Sequence, residues 1–286
     1  MNLGVDQIYV INVAKDKLRK KNMIKFFSDY NITNYTFIDA IGGDDLPSVK
    51  DLIFNKTLNL SFIDPVGLLT KNIIACALSH KKTLDTFLSS NYDNCLILED
   101  DVKFSPRFFK YLANNSLDEI TQEIKQCEYD VFYWGRKEDF KIGENGEKTS
   151  FKHIYKPRLF TSNISAHAYQ VTRKSAKHLS DNLLPVNMPW DVYMEYQDLK
   201  FYSPKYSFID QILCEVDHEV YSKVVENIWN ANLVEGYQST TVEKTINVKN
   251  KTCTIEPDLP IDYVKFIDIN HKRGKLHHWS QIFFKI

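Results

Sequence analysis

Residues 94–103 read NCLILEDDVK, a short apolar run that ends abruptly in three consecutive carboxylates, Glu99, Asp100 and Asp101. The run at 95–98 has the length and character of a buried strand, which places it inside a layered α/β domain. Three like charges at its end repel one another, and the usual relief is a divalent metal or a bound cationic group. In open α/β sheets the carboxyl end of a strand is also where ligands bind. The competing reading is a solvated acidic turn, and the apolar run before it counts against that.

The surrounding pattern agrees with a layered domain. Residues 7–13 (QIYVINV) predict a buried strand. A basic helix follows, with Leu18, Met23, Phe27 and Tyr30 on one face and its end at Asn31. Residues 35–38 predict a strand and residues 42–45 (GGDD) a loop. Thr70 is a candidate N-cap for a helix over 71–89, where Ile74, Ala77, Leu78, Leu84 and Leu88 keep helical spacing. Helices are expected over 104–114 and 117–127, a strand over 129–134, a long loop or hairpin over 138–163, a strand over 168–172 and a helix over 173–184. Alternating strands and helices argue an α/β architecture. The expected division is a main domain over 1–214 and a less regular C-terminal extension over 215–286.

Bulk properties exclude some classes. A net charge of −1 gives no footprint for a nucleic-acid binder, and no stretch approaches the roughly 20 apolar residues that cross a bilayer. The start, MNLGVDQIYVINV, lacks the basic segment and cleavage site of a signal peptide. Cys76, Cys95, Cys127, Cys214 and Cys253 are odd in number and never spaced as CxxC, so reduced thiols are expected. Together these predict a cytoplasmic protein, bacterial or in a virus-infected host, with peripheral attachment at a membrane surface left open.

Five segments in order carry a resemblance: YVINVAKDKLRKK, LTKNIIACALSHKKTLDTFL, LILEDDV, DVFYWGRK and SAHAYQVTRKSAKHL. Together they resemble glycosyltransferase family 25, which contains lipooligosaccharide and collagen galactosyltransferases. The resemblance covers about residues 6–211. It implies a GT-A fold, with a Rossmann-like nucleotide-binding half and a mixed central sheet. It also implies a UDP-galactose or UDP-glucose donor, Mn²⁺ or Mg²⁺, and inversion at the anomeric carbon. The acceptor is then a hydroxyl of a glycan, a lipooligosaccharide or hydroxylysine. The alternative is a non-catalytic UDP-sugar or carbohydrate-binding module that keeps the fold.

Carried onto this chain, the resemblance makes Asp101 the metal ligand and Glu99 a ribose, water or second metal partner, with Asp100 orienting the donor sugar. Ile11 and Asn12 close the first strand, where uracil or ribose sits on such a fold. Arg19 either reaches a phosphate or is one more solvated charge on its helix. Ser79 and His80 are assigned to donor binding, and His167 to the vicinity of the donor sugar. Arg136 has the planar fork that suits a carboxylate or phosphate, or pairs with the acidic trio. An inverting transfer needs a carboxylate to take the acceptor's proton. Asp191, in the stretch Met188-Pro189-Trp190-Asp191, is the expected base, Glu195 the fallback, and Asn187 an acceptor contact. Asp210, Gln211 and His218 compete as a further metal ligand, and His277-His278 are expected to be solvated. An aspartyl-phosphate enzyme is excluded on chemistry, because Glu99 stands where its nucleophilic aspartate would have to be.

Overall fold

The computed structural model describes residues 1–58, 71–136, 146–159 and 165–212. In chain order the elements are β1 (Gln7–Asn12), α1 (Lys17–Asp29), β2 (Tyr35–Asp39), α2 (Val49–Phe54), α3 (Lys71–Leu88), β3 (Asn94–Glu99) and β4 (Val102–Phe104). They continue with α4 (Pro106–Leu112), α5 (Leu117–Gln126), β5 (Val131–Gly135), β6 (Gly146–Lys148), β7 (Ile154–Pro157) and β8 (Ala168–Thr172). The last are α6 (Arg173–Asn182), α7 (Trp190–Glu195), β9 (Phe201–Pro204) and β10 (Ile209–Gln211). No helix among the described residues is long and apolar enough to cross a membrane.

Two compact units divide these residues. The first takes in Met1–Ala40, Leu78–Leu183 and Trp190–Ile212, the second Ile41–Ala77 and Leu184–Pro189. The expected boundary at residue 214, the extension beyond it, and the candidate cap Thr70 lie outside the described residues.

The first unit is built on an eight-stranded mixed sheet in the order β2-β1-β3-β8-β5-β9-β7-β6. β1 pairs in parallel with β2 and β3, and β5 with β9, while β8 runs against both β3 and β5. The alternating pattern predicts the α/β layering, and the mixed sheet is what the family resemblance implies. Residues 95–98 of β3 are at most 1 % exposed, as expected of a strand covered on both faces. In the second unit, Ser48 caps α2 by accepting from the Asp51 amide, and Leu58 forms an isolated parallel bridge with Val186.

Three local expectations need correction. Leu18 is 68 % exposed, not on the buried face of α1. It lies five positions before Met23, about 140° around the helix, whereas Met23 and Phe27 share one stripe. Residues 104–114 are not one helix. Phe104 ends β4 and pairs with Ile209, Ser105 caps α4, and Pro106 takes the first turn, where its missing N–H costs nothing. The GGDD segment contains a 3₁₀ turn over Gly43–Asp45. The hairpin reading of 138–163 holds for its described part, where β6 and β7 pair antiparallel.

The short β4–β10 ribbon is anchored by an aromatic cluster. The Phe104 ring lies 4.7 Å from Phe108 and 4.9 Å from Tyr30, and Phe208 lies 5.0 Å from Phe108. Burying such rings contributes more than any single hydrogen bond in the ribbon, so it is the cluster that fixes where β10 sits.

Candidate active site

Several strands stop along one edge of the sheet. In the strand registers Ile11 lies beside Glu99, Leu98 beside Ala168, and Gly135 beside the same Ala168. The carboxyl ends of β1, β3 and β5 therefore meet the start of β8. Backbone groups at the ends of buried strands lose their ladder partners, and polar side chains collect at this edge.

The acidic trio forms the turn from β3 into β4, and each member has a different environment. Asp100 is 6 % exposed and accepts hydrogen bonds from Asn12 Nδ2 at 2.6 Å and Arg19 Nη1 at 2.9 Å. Arg19 Nη1 is also 3.7 Å from Asp101 Oδ2. Asp101 is 9 % exposed, and burial together with the neighbouring Glu99 charge pushes its carboxyl up to about 7. Opposite the trio, the β4–β10 pairing delivers Gln211. Its Nε2 donates to Glu99 Oε2 at 2.8 Å and lies 3.4 Å from Asp101 Oδ1, and the Ile212 amide donates to the Asp101 carbonyl at 2.7 Å. A neutral amide group thus sits between two carboxylates.

His80, on α3, is 1 % exposed and bonds through Nδ1 to the Tyr169 hydroxyl at 2.8 Å. Its ring stacks on Trp190 with centroids 4.9 Å apart and planes 6° from parallel. Burial drives its pKa down to about 3 against the opposing pull of Asp191. Its 3.8 Å approach to Glu99 Oε1 is accordingly a contact between a carboxylate and a neutral ring, not an ion pair. His167, 2 % exposed, bonds through Nδ1 to Ser165 Oγ at 2.6 Å and donates from Nε2 to the Ile209 carbonyl at 2.7 Å. The Nε2 bond ties the start of β8 to β10, while the Nδ1 bond orients the ring within its own segment.

α7 carries the expected base. Trp190, Val192, Tyr193, Met194 and Glu195 are all buried, which leaves Asp191 as the one residue of the helix reaching toward solvent. Asp191 Oδ1 accepts from the Val192 amide at 2.9 Å. Glu195 instead takes Arg136 Nη2 at 3.2 Å, with both side chains at most 2 % exposed. The fork of Arg136 serves the fallback base and not the acidic trio.

The structure thus gathers Asn12, Arg19, Glu99, Asp100, Asp101 and Gln211 into one hydrogen-bonded and ion-paired network. Ile11 stands beside Glu99 in the sheet, and Asp210 pairs with Lys103 across the ribbon. Ser79 is 1 % exposed inside α3, with its carbonyl accepting from the Thr83 hydroxyl at 2.9 Å. Asn187 belongs to the second unit, and His218, His277 and His278 lie outside the described residues. Tyr169 and Ser165 were not anticipated. Each works through a long-range or irregular contact that no local spacing announces.

Comparison with known proteins bears on this arrangement. The profile of Glycosyltransferase family 25 (LPS biosynthesis protein) matches residues 5–194. A Glycosyltransferase 25 family member of Drosophila melanogaster is 28% identical over 137 residues, 47% of this chain and 22% of that protein. Procollagen galactosyltransferase 2 of Homo sapiens is also 28% identical over 137 residues, 47% of this chain and 21% of its own length. A Rattus norvegicus relative named Probable inactive glycosyltransferase 25 family member 3 is 28% identical over 138 residues, 48% of this chain and 23% of its own. The matched segment covers less than a quarter of each of these relatives. The profile match takes in β1, the acidic strand end and all but the last residue of α7, and the chain belongs to glycosyltransferase family 25.

Proposed function

We propose that the chain is a metal-dependent, inverting hexosyltransferase of GT-A type that moves galactose or glucose from a UDP-sugar to a hydroxyl of a glycan, lipooligosaccharide or hydroxylysine acceptor. The observation that carries this reading is the surplus of carboxylate at the β3 end. Arg19 serves both Asp100 and Asp101, and burial beside Glu99 still holds the Asp101 carboxyl up to about 7.

The residues fit a hard divalent ion. Glu99 and Asp101 supply oxygen, the donor type that suits Mn²⁺ or Mg²⁺. The Gln211 amide between them supplies a third oxygen once it turns over, a rotation that the carbon framework leaves open. When bound, such an ion neutralises charge developing on the departing pyrophosphate.

The chain's own groups do the rest. Asn12 is 1 % exposed and its Oδ1 has no partner among the described residues, so it supplies an acceptor for a base N–H or a ribose hydroxyl. Arg19, with a side chain 21% exposed, lies close enough to Asp101 to meet a phosphate held there. His80 and Trp190 give a flat neutral wall. Asp191 takes the proton of the acceptor hydroxyl as its oxygen attacks the anomeric carbon from the face opposite UDP, and the bond from that carbon to the β-phosphate oxygen breaks. The human relative's name supports galactose as the sugar moved.

The test is UDP release from UDP-galactose and UDP-glucose with Mn²⁺ and a panel of hydroxyl acceptors. Asp101→Asn and Asp191→Asn should each lower turnover at least 100-fold. No release from either donor, or wild-type rates in both variants, sinks the reading. The name of the rat relative favours one second reading, a binding module without turnover. It predicts Mn²⁺-dependent UDP binding with no UDP-sugar consumed.

A further inference from the structure

α7 has six residues, too few to hold helical form by itself. Three contacts fix it within the first unit. At its start the Trp190 ring stacks on His80 of α3 at 4.9 Å. In its middle the Tyr193 hydroxyl donates to the Leu179 carbonyl of α6 at 2.9 Å. At its end Glu195 holds Arg136, the residue that follows β5, at 3.2 Å. Each tie joins α7 to a different element, and together they leave the helix little freedom to shift or turn.

The third tie is chemically unlike the others. Arg136 is 3 % exposed, and among the described residues its Nε and Nη1 have no hydrogen-bond partner. Its guanidinium lies 5.2 Å over the Tyr133 ring. Glu195 is therefore what balances a buried cation at the end of β5. Replacing such a pair by apolar residues is often neutral for stability, so the pair is poorly explained as a device for folding alone. Its geometric consequence is clear: Asp191 and Glu195 are one helical turn apart, and fixing Glu195 fixes the direction in which Asp191 leaves the helix.

We propose that Glu195 and Arg136 are positioning residues, a buried pair that aims the Asp191 carboxylate, and that Glu195 takes no proton itself. This rests on the reading of Asp191 as the base. A displacement of about 1 Å in a catalytic group costs on the order of 100-fold in rate, so a pinned helix has a direct kinetic value.

The experiment uses the full chain with Mn²⁺ and UDP-galactose or UDP-glucose, in Glu195→Gln, Arg136→Gln and the double variant. Each single change leaves a buried charge or its partner alone, whereas the double change leaves two amides that can bond to each other. Hydrogen exchange is followed at the amides of Tyr196 and Gln197, which bond to the Val192 and Met194 carbonyls. Expected are exchange at least tenfold faster and kcat about 100-fold lower in each single variant, with the donor KM within twofold. In the double variant both recover to within about tenfold of wild type. Unchanged exchange in the single variants overturns the proposal. So does loosened exchange with kcat intact, or a double variant that stays as slow as Glu195→Gln, which is the signature of a base. If the wild-type chain turns over neither donor, the transferase reading falls, and the exchange measurement alone decides whether the pair holds α7.

Discussion

Arg19 Nη1 stands 2.9 Å from Asp100 Oδ1, a carboxylate 81 residues further along the chain. The contact separates the three acids by role. Asp100 is held by the protein's own cation and by Asn12, whereas Glu99 and Asp101 meet at the Gln211 amide, where the proposed metal would bind. The second approach of the same guanidinium, 3.7 Å from Asp101, makes Arg19 a competitor for whatever cation binds there.

Arg19→Met tests that competition. Removing a positive charge about 4 Å from a ligand carboxylate favours an incoming cation, with the effect reduced because the side chain is partly exposed. Calorimetry should show Mn²⁺ alone binding about three- to tenfold more tightly than to the wild-type chain. Binding of UDP in the presence of Mn²⁺ should weaken, since a phosphate contact is lost. Looser Mn²⁺ binding in the variant would show that Arg19 organises the acids without opposing the ion.

The position of Asp101 predicts proton release. Its carboxyl sits near 7 because it is buried beside Glu99, well above the ordinary carboxylate range. In the metal-free chain the folded state then holds a proton that the unfolded state has lost, so stability falls as pH rises from about 4 to 7. A cation at Asp101 displaces the same proton. Titrating Mn²⁺ alone at pH 6 in two buffers of different ionisation enthalpy should reveal release approaching one proton, falling away above pH 8. Asp101→Asn should abolish the buffer dependence.

Gly135 shows why one end of β5 admits no side chain. A Cβ there would lie 2.1 Å from the Ile209 carbonyl oxygen and 2.5 Å from His167 Nε2, the two atoms that bond to each other to hold β8 to β10. Gly135→Ala must push them apart. We expect a loss of about 2–3 kcal/mol in urea denaturation, the range for overpacking a closed site. Mn²⁺ affinity should fall as well, because the displaced strand carries Gln211. A variant as stable as wild type would mean the ribbon moves freely.

Much of this was legible from local pattern, and the remainder fails for a common reason. β1, β3, β5 and β8 announce themselves as apolar runs, and the acids after β3 stand out because a buried strand has no other use for them. Asn12 was readable as a polar side chain ending a buried strand, and Asp100 proves to be its partner. What could not be read is pairing across the chain. The β4–β10 ribbon is three residues a side, too short to leave a periodic trace, so Phe104 looked like the start of a helix. Arg136 could have met any acid, and only the packing of α7 selects Glu195. Leu18 misled because an apolar residue near the start of a helix invites assignment to the core, although its angle from Met23 places it outside.

His80 gives the last prediction, and its sign follows from burial. Enclosed between Trp190 and Tyr169, the imidazole has its pKa driven from 6.5 to about 3. The unfolded chain takes up a proton below pH 6.5 that the folded chain refuses, so His80 costs the fold stability progressively as pH falls from 6.5 toward 3. Above that window the residue is neutral in both states and contributes no slope. His80→Phe keeps a ring against Trp190, cannot titrate, and leaves the Tyr169 hydroxyl without its partner. It should therefore be less stable than wild type by about 1–2 kcal/mol at pH 7. Its urea midpoint should also decline less steeply between pH 6 and pH 4, so that the two curves converge in acid. Parallel curves across that window would show that the ring accepts its proton in the folded chain, and that the wall beside Glu99 is charged and not neutral.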